Sequence, residues 1–492
     1  MSLSIGIDIG TSSAKAVVVN RQGDVVFKVG PTYNFKTPHP LWAESDPEDW
    51  WKATLHCLEE ISKACDPASI EAIGLTGQMH GLVLLDAAGR VLRPCIMWND
   101  QRTSAECAAL TQRVGAQEVL RITGNPVLTG FTAPKILWVQ KNEPEVWARV
   151  DKILLPKDFI HYRLSGVFAT DVSDASGMSL LDVGARNWSQ TMLAACGVKP
   201  SMLGKVHESP DVTGTLNAEL AKRFGFRADV KIVAGAGDQA AGAVGSGVVK
   251  QGLVACSLGT SGVVFAQADQ FEPEPEGRLH AFCAAVPGKW HYMGVQLSCA
   301  GSYQWFGDRL GFGADFRVLD AEAEKVGAGA EGLLFLPYLT GERMPHPDPL
   351  ARGGWIGLTI RHGRGHMARA VLEGVTFGLR EGMEMIRKLG VPIEKVIVAG
   401  GGARSPLWRQ ILADNFESSI VTVNASEGGA FGAAILAMVG AGWYPGVEAA
   451  CGALIRETGE TLPGPNTAAY NRLFPVYKGL YPALKESFAA LS

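Results

Sequence analysis

Residues 3–20 read LSIGIDIGTSSAKAVVVN, and they carry the main evidence for the fold class. Two apolar runs, 3–9 and 14–20, flank a turn of small polar residues, which is the pattern of a β-hairpin. A further turn leads into a third apolar run, 25–29, so the sequence predicts an antiparallel meander. A helix is predicted directly after it, because Asp46 is a good N-cap and an apolar stripe follows as far as Ala64.

The Gly-Thr-Ser turn recurs near the middle of the chain. IDIGTS at 7–12 is echoed by CSLGTS at 256–261, and each turn lies between two strand-like runs. A second echo pairs the tetrapeptide IVAG at 232–235 with the same four residues at 397–400. Chance similarity between turns of small residues is the alternative explanation.

These echoes predict two related α/β units with a ligand cleft between them. The boundary is expected between Gly242 and Gly252, which gives domains of residues 1–246 and 247–492. A chain of 492 residues is long enough for two cores.

Composition excludes several classes of protein. Hydrophobic residues make up 47% of the chain, which is too many for a largely disordered protein. There are 45 Lys and Arg residues against 49 Asp and Glu, so no basic excess favours nucleic acid. The nine cysteines form no CxxC pair and fit reduced thiols in the cytoplasm.

The sequence gives no sign of a membrane partner. The N-terminus lacks the basic region of a signal peptide. The uncharged stretch 428–444 is rich in Gly and Ala and is shorter than the ~20 large apolar residues that a span needs. We expect a buried helix there and a cytoplasmic protein.

The two Gly-Thr-Ser turns are candidate phosphate sites. Consecutive backbone N–H groups and hydroxyls at 10–13 can bind phosphate oxygens without a cation. Asp8, just before that turn, is placed to hold Mg²⁺, and Lys15 could reach a phosphate. The turn around Gly259 and Thr260 offers the same chemistry from the other half. Either turn alone could equally be a plain hairpin.

A third glycine cluster, Gly400–Gly402, follows an apolar run and precedes a helical pattern that starts at Pro406. Three glycines let a flat ligand such as adenosine lie against the backbone, and the helix N-terminus favours anions. The chain contains no P-loop, no protein-kinase signature, no HExxH and no GxSxG.

Two further segments could face a substrate. Asp238, in GAGDQ at 235–239, is positioned to accept a proton from a hydroxyl group, although Asp is also a common helix cap. Met79 and His80, in GQMHG at 77–81, offer a polar ring and an apolar neighbour that suit a small polyol. His80 could equally be a structural histidine.

These motifs resemble those of known proteins. The turns after Asp8 and at 259–261 and the glycine cluster resemble the phosphate and adenosine motifs of the actin-like ATPase superfamily. GFTAPKILWV at 130–139, and the stretch from GGWIGL at 353–358 to AVLE at 370–373, resemble the two signatures of the FGGY carbohydrate kinases. Three shorter segments resemble the members of that family that act on D-xylulose: PHPLWAE at 38–44, GQMHG at 77–81 and WNDQR at 98–102.

The resemblance implies two ribonuclease-H-like domains with ATP and Mg²⁺ in the cleft between them. It also implies transfer of the γ-phosphate of ATP to the 5-hydroxyl of D-xylulose, by a kinase that is often a homodimer. Carried over by position, the roles are Asp238 as catalytic base; Met79, His80, Asp238 and Gln239 at the sugar; Asp8 at the metal; Thr11, Ser12, Lys15, Gly259 and Thr260 at the phosphates; and Gly401, Gly402 and Ser405 at the adenosine.

One departure from the family pattern concerns Gln239, because Asn is common at this position. Gln keeps the same donors and acceptor on a longer arm, so the preferred ketose is left open. The alternatives are an FGGY kinase for ribulose, glycerol, gluconate or another polyol, and a non-catalytic actin-like ATPase module. Residues 451–492 carry no motif.

Overall fold

A computed structural model describes residues 2–425 and 427–491. The strands are β1 Leu3–Ile9, β2 Ala14–Asn20, β3 Val25–Val29, β4 Glu44–Ser45, β5 Ile70–Gly77, β6 Val83–Leu85, β7 Cys95–Ile96, β8 Lys152–Leu154, β9 Ala169–Asp171, β10 Leu181–Asp182, β11 Asn187–Trp188, β12 Lys205–His207, β13 Val212–Thr215, β14 Lys231–Val233, β15 Ala236–Gly237, β16 Gly252–Leu258, β17 Gly262–Ala268, β18 His280–Cys283, β19 Trp290–Gln296, β20 Leu334–Leu336, β21 Gly354–Ile356, β22 Ile393–Ala399, β23 Ser419–Val423 and β24 Glu457–Thr461.

The α-helices are α1 Pro47–Ala64, α2 Ser104–Val114, α3 Ala116–Thr123, α4 Thr132–Asn142, α5 Pro144–Trp147, α6 Pro156–Ser165, α7 Val172–Ala175, α8 Gln190–Cys196, α9 Ala218–Phe224, α10 Asp238–Gly245, α11 Ala300–Arg309, α12 Phe316–Glu324, α13 Arg364–Lys388, α14 Pro406–Phe416, α15 Gly428–Gly440, α16 Val447–Leu454 and α17 Thr467–Ala490. Short 3₁₀ helices cover Pro67–Ser69, Ser176–Met178, Pro200–Met202, Ala330–Gly332 and Gly402–Arg404.

The first sheet has seven strands in the order β13-β14-β5-β1-β2-β3, with β15 paired to β5. The hairpin β1–β2 is antiparallel, with Asp8 opposite Lys15, and β5 runs parallel to β1 on the other side. The predicted bounds of β1, β2, β3 and α1 are confirmed, because the apolar runs bounded by polar turns and the Asp46 cap both leave clear local signals.

The second sheet repeats this arrangement, in the order β18-β19-β17-β16-β22-β23-β24. The hairpin β16–β17 is antiparallel and β22 runs parallel to β16, so β16 and β17 correspond to β1 and β2. The predicted pair of related α/β units is confirmed. The second echo, which pairs the ends of β14 and β22, does not mark equivalent strands. In the two sheets β22 occupies the position of β5, and the counterpart of β14 is β23.

Helices α10 and α15 cross between the two units. The predicted buried helix in the uncharged run is confirmed as α15, which packs on the first sheet although it lies in the second half of the sequence. A Cβ at Gly6 would lie 1.9 Å from the carbonyl oxygen of Ala430, and one at Gly74 would lie 1.9 Å from that of Ala433. Ala243 of α10 shares a buried cluster with Phe265 of the second sheet.

Each unit has its own hydrophobic core, and a third core lies under the inserted helices α2–α4 and α8. The C-terminal region divides between the units, because α16 packs with α15 on the first sheet whereas β24 and α17 join the second unit. Within residues 2–425 and 427–491, no helix combines the length and apolar character that a membrane crossing requires. The division at residues 246 and 247 stays a prediction.

Candidate functional site

A cavity of about 190 Å³ opens between the two units. Its size suits a ligand smaller than the drug-sized molecules that fill pockets of ~300–1,000 Å³. The lining residues are Met79, His80, Trp98, Leu128, Gly130, Phe131, Asp238, Gln239, Ser261, Val263, His280, Phe282, Met293, Val295 and Arg343. All four residues that the sequence assigned to the sugar therefore lie on one cavity.

Asp238 begins α10, directly after the glycine-flanked turn, and its side chain is partly exposed to the cavity. Burial, together with the nearby charge of Asp8, raises the pKa of Asp238 to about 7. Such a pKa lies close to working pH, which is where a general base is most effective. The alternative was that Asp238 is only a helix N-cap. The N-cap of α10 is instead Gly237, and Asp238 is the first residue of the helix.

Asp8 is the last residue but one of β1, and its charge acts on Asp238. Burial raises the pKa of Asp8 to about 6, against the opposing effect of Lys15. A Cβ placed on Gly429 would lie 3.3 Å from Asp8 Oδ2 and 3.6 Å from the carbonyl oxygen of Asp238. The first turn of α15 therefore packs between the two acidic residues.

The oxygen atoms around Asp8 fit Mg²⁺. Among the described residues, Asp8 Oδ1 and Thr76 Oγ1 are buried without a hydrogen-bond partner. Hard oxygen donors suit Mg²⁺, which keeps several waters and usually takes one or two carboxylates together with substrate phosphates. A complete protein cage is not required, and the described part of the chain holds no cluster of three or more His, Cys, Asp or Glu side chains arranged for a metal.

His80 presents an acceptor nitrogen to the cavity. Its Nδ1 lies 2.8 Å from the carbonyl oxygen of Gly177, and its ring stacks on Phe131 at 4.5 Å. Burial lowers the pKa of His80 to about 3, so the ring is neutral. Because a carbonyl only accepts, Nδ1 carries the hydrogen and Nε2 is left to accept one from a ligand hydroxyl.

The backbone of His80 is in the left-handed region, with φ 71°, and two buried side chains hold it there. Thr132 Oγ1 and Lys135 Nζ donate to the His80 carbonyl oxygen at 3.0 and 2.9 Å, and Lys135 also donates to the carbonyl oxygen of Gly130 at 2.6 Å. Sequence reasoning read Lys135 only as part of a signature. A lysine among the mostly apolar residues at the start of this helix was the available sign that its charge has a buried partner.

The first Gly-Thr-Ser turn lies beside the cavity. Trp98, a lining residue, donates from its indole nitrogen to Thr11 Oγ1 at 3.0 Å. The Gly10 N–H closes the turn on the carbonyl oxygen of Ser13 at 2.9 Å, and Ser12 is exposed. Lys15 is half-exposed and lies 3.6 Å from a carboxylate oxygen of Glu427.

The second turn is tied to α11. The carbonyl oxygens of Gly259 and Thr260 accept from the N–H groups of Ala300 and Cys299, each at 2.8 Å. These bonds orient the turn, and the next residue, Ser261, lines the cavity. Both predicted phosphate turns thus lie at the edge of one cleft.

The glycine cluster lies against the end of β16, next to the second turn. A Cβ on Gly402 would be 2.9 Å from Leu258 Cβ and 2.7 Å from the ring of Trp408, whereas one on Gly401 would meet nothing within 4 Å. Ser405 caps α14, accepting from the Trp408 N–H at 3.1 Å. Gly401 therefore borders open space, and Ser405 has a structural task whether or not it also meets a ligand.

Arg343 was missed by the sequence reasoning. It lines the cavity from the second unit, whereas Met79, His80, Asp238 and Gln239 line it from the first. The adjacent carboxylate of Glu342 accepts from the backbone N–H groups of Arg343 and Leu297 at 2.7 and 2.9 Å, which fixes this segment to the end of β19. No charge pattern in the sequence singles out this arginine.

Comparison with known proteins gives consistent matches. Residues 3–245 and 254–441 match the N-terminal and C-terminal domains of the FGGY family of carbohydrate kinases. The chain is 46% identical over 438 residues to a xylulose kinase of Escherichia coli (strain K12), covering 89% of this chain and 90% of the relative. It is 38% identical to a xylulose kinase of Bacillus subtilis (strain 168), with 100% and 99% covered.

A solved structure supports the same fold. The ligand-bound xylulose kinase of Lactobacillus acidophilus superimposes with a TM-score of 0.95 and 28% identity, covering all of both chains. The expected two-domain architecture of the actin-like ATPase fold is thereby confirmed.

Proposed function

The chain belongs to the FGGY family of carbohydrate kinases, and we propose that the sugar it phosphorylates is D-xylulose. The products are then D-xylulose 5-phosphate and ADP. The names of the relatives that match most of the chain support this substrate. The enzyme uses ATP as its second substrate, as the family does.

The observation that carries the proposal is the meeting of Asp238 with Met79, His80 and Gln239 on one cavity. His80 Nε2 and the Gln239 amide supply an acceptor and donors for sugar hydroxyls. Met79 supplies an apolar surface, and Phe131 supports the His80 ring. A small polyol held there has one hydroxyl beside the Asp238 carboxylate.

Asp238 acts as the general base on the 5-hydroxyl. Its carboxylate accepts the hydroxyl proton while the sugar oxygen forms a bond to the γ-phosphorus, and the bond from that phosphorus to the bridging oxygen of ADP breaks. A pKa of about 7 keeps a large fraction of Asp238 deprotonated at neutral pH and lets it hold the proton afterwards.

The two turns and Lys15 hold the phosphates. Thr11 and Ser12 act through backbone N–H groups and hydroxyls on one side, and on the other Gly259 acts through its backbone and Thr260 through its backbone and hydroxyl. Asp8 would hold Mg²⁺, directly or through water, and Thr76 lies next to Asp8 on the paired strand β5. When bound, Mg²⁺ neutralises phosphate charge. Gly401, Gly402 and Ser405 border the adenosine, where Gly401 leaves open space.

We further propose that the enzyme works in the cytoplasm, which suits nine cysteines that are all unpaired. The homodimer that the resemblance implies stays a prediction.

The experiment is ADP release by the purified protein with Mg-ATP and one of D-xylulose, D-ribulose, L-ribulose, glycerol, gluconate or no sugar. We expect the highest kcat/KM with D-xylulose and loss of activity in EDTA. Preference for another sugar would mean that the reaction class is right but that the substrate assigned to the pocket around Met79, His80 and Gln239 is wrong. ADP release that is indifferent to every sugar would favour an ATPase module instead.

A further inference from the structure

A buried cluster of charges lies behind the turn that carries Asp238. Lys157 Nζ is 2.5 Å from a carboxylate oxygen of Asp158, 3.2 Å from one of Asp171 and 3.8 Å from one of Asp174. The four residues come from the start of α6, the end of β9 and α7, and all are buried. None of them lines the cavity, so the mechanism above does not use them.

Two bonded paths join this cluster to the turn. Lys157 Nζ donates directly to the carbonyl oxygen of Ala234 at 3.1 Å. On the second path, Asp171 Oδ2 accepts from the Ser173 hydroxyl at 2.5 Å, and the Ser173 oxygen accepts from the Gly237 N–H at 3.1 Å. Gly237 is bonded to Asp238, so the second path ends one residue from the proposed base.

The turn between these paths is closely packed at Gly235. Gly235 has φ 80°, and a Cβ there would lie 2.1 Å from the carbonyl oxygen of Leu75 and 3.3 Å from Lys157 Cδ. The turn is therefore packed between β5 and the Lys157 side chain. Lys157 and Ser173 both contact the backbone that leads into α10, so changes to either side chain would act on that backbone.

The cluster is a poor device for stability alone. One ammonium faces three carboxylates, and among the described residues both oxygens of Asp174 and Asp171 Oδ1 are buried without a hydrogen-bond partner. Burial raises the pKa of Asp174, and the charge of Asp238 adds to the same effect. Buried charges that are incompletely paired cost folding free energy, so their presence beside the base calls for a functional reason.

We propose that Lys157, Asp171 and Ser173 are positioning residues that hold the carboxyl group of Asp238 in line with the reacting hydroxyl of the sugar. This inference rests on the proposed role of Asp238 as the base. A displacement of a catalytic group by about 1 Å can lower the rate by ~10²-fold. Contacts that fix the turn before Asp238 should therefore have a measurable effect on kcat.

Ser173→Ala and Ser209→Ala are a matched pair for the test. The Ser209 hydroxyl donates to the same Asp171 Oδ2, at 3.0 Å, and is equally buried. Of these two hydroxyl groups, that of Ser173 bonds to the turn, through the Gly237 N–H. The contact of Ser209 with Gly235 is made by its backbone carbonyl, which alanine keeps.

We expect Ser173→Ala to lower kcat by ~10-fold or more, with the KM for D-xylulose changed less than ~2-fold, because the hydroxyl touches no sugar. Ser209→Ala should keep kcat within ~2-fold despite a similar loss of thermal stability. Ser173→Thr, which keeps the hydroxyl, should recover most of kcat. If the alanine variant does not fold, Ser173→Cys, with a weak S–H group, takes its place.

Equal kcat in Ser173→Ala and Ser209→Ala would overturn the positioning role, as would a loss confined to KM. Failure of the proposed function looks different. In that case the unmodified protein shows no sugar-dependent ADP release, or Asp238→Asn keeps full activity.

Discussion

The imidazole of His80 lies on the ring of Phe131, with centroids 4.5 Å apart and planes 19° from parallel. His80 also has a left-handed backbone, and Thr132 and Lys135 hold its carbonyl oxygen from α4. Both the ring and the backbone of this residue are therefore fixed before a sugar arrives. A preformed acceptor loses little conformational entropy on binding.

His80→Asn should raise the KM for D-xylulose by about tenfold, since one hydrogen bond contributes about 1–1.5 kcal/mol. Asn tolerates the left-handed backbone but loses the stacking on Phe131, so the melting temperature should fall while the variant still folds. Initial rates over a range of sugar concentrations, with His39→Asn as the control, measure the effect. An unchanged KM would remove His80 from the sugar site.

Asp238→Ala should lower kcat at least ~10²-fold, the lower end for a positioned general base. The KM for ATP should stay close to that of the unmodified enzyme, because the proposed phosphate-binding turns do not include Asp238. Asp229→Asn, at an exposed carboxylate, is the control. A wild-type kcat in Asp238→Ala would leave Asp238 a structural role only.

The raised pKa of Asp238 predicts how its contribution to folding stability changes with pH. Its pKa is about 7 in the folded protein and near 3.8 when exposed, so the folded state binds the proton more tightly. The contribution of this carboxyl to stability is therefore full below about pH 4 and is lost as pH rises towards 7.

Urea unfolding of the ligand-free protein and of Asp238→Asn at pH 5 and pH 8 measures this loss. The asparagine variant should gain stability relative to the wild type as the pH rises. A difference between the two proteins that is independent of pH would contradict the assigned pKa.

Gly432→Ala should be strongly destabilising, by about 3 kcal/mol or more, because the new Cβ would lie 1.8 Å from the carbonyl oxygen of Ala241. The helices α10 and α15 would have to separate. Gly452→Ala in α16 meets nothing within 4 Å and should be neutral or stabilising by about 0.5–1 kcal/mol. Chemical denaturation of both variants compares them, and equal stabilities would be inconsistent with the close helix crossing.

Local signals predicted the local structure well. The apolar runs in 3–20 and the Asp46 cap define their own elements, and the two Gly-Thr-Ser turns occupy equivalent hairpins. The IVAG repeat wrongly suggested equivalent strands, because four apolar residues of this kind can end any strand and do not determine which strands pair with it. Strand order depends on pairing between distant segments, which places β14 beside β5 and β22 beside β16.

The residues that pack behind the site could not be found in the same way. Lys157, Asp171 and Ser173 come from separate elements and meet only in the folded chain. Arg343 reaches the cavity from the other unit, and Lys135 is read as an ordinary helix residue until its two carbonyl partners are known. Such roles arise from tertiary contacts, which leave no periodic trace.

The packing of α15 on the first sheet has a consequence for any attempt to divide the gene. A fragment that ends at residue 246 would lack α15. The backbone of Gly6 and Gly74, on which this helix packs, would then be uncovered, and the apolar face of β1 and β5 would be exposed to water. The complementary fragment would carry α15 as an apolar helix without its sheet. Each half is thus completed by the other, and the two fragments should fold only when they are produced together.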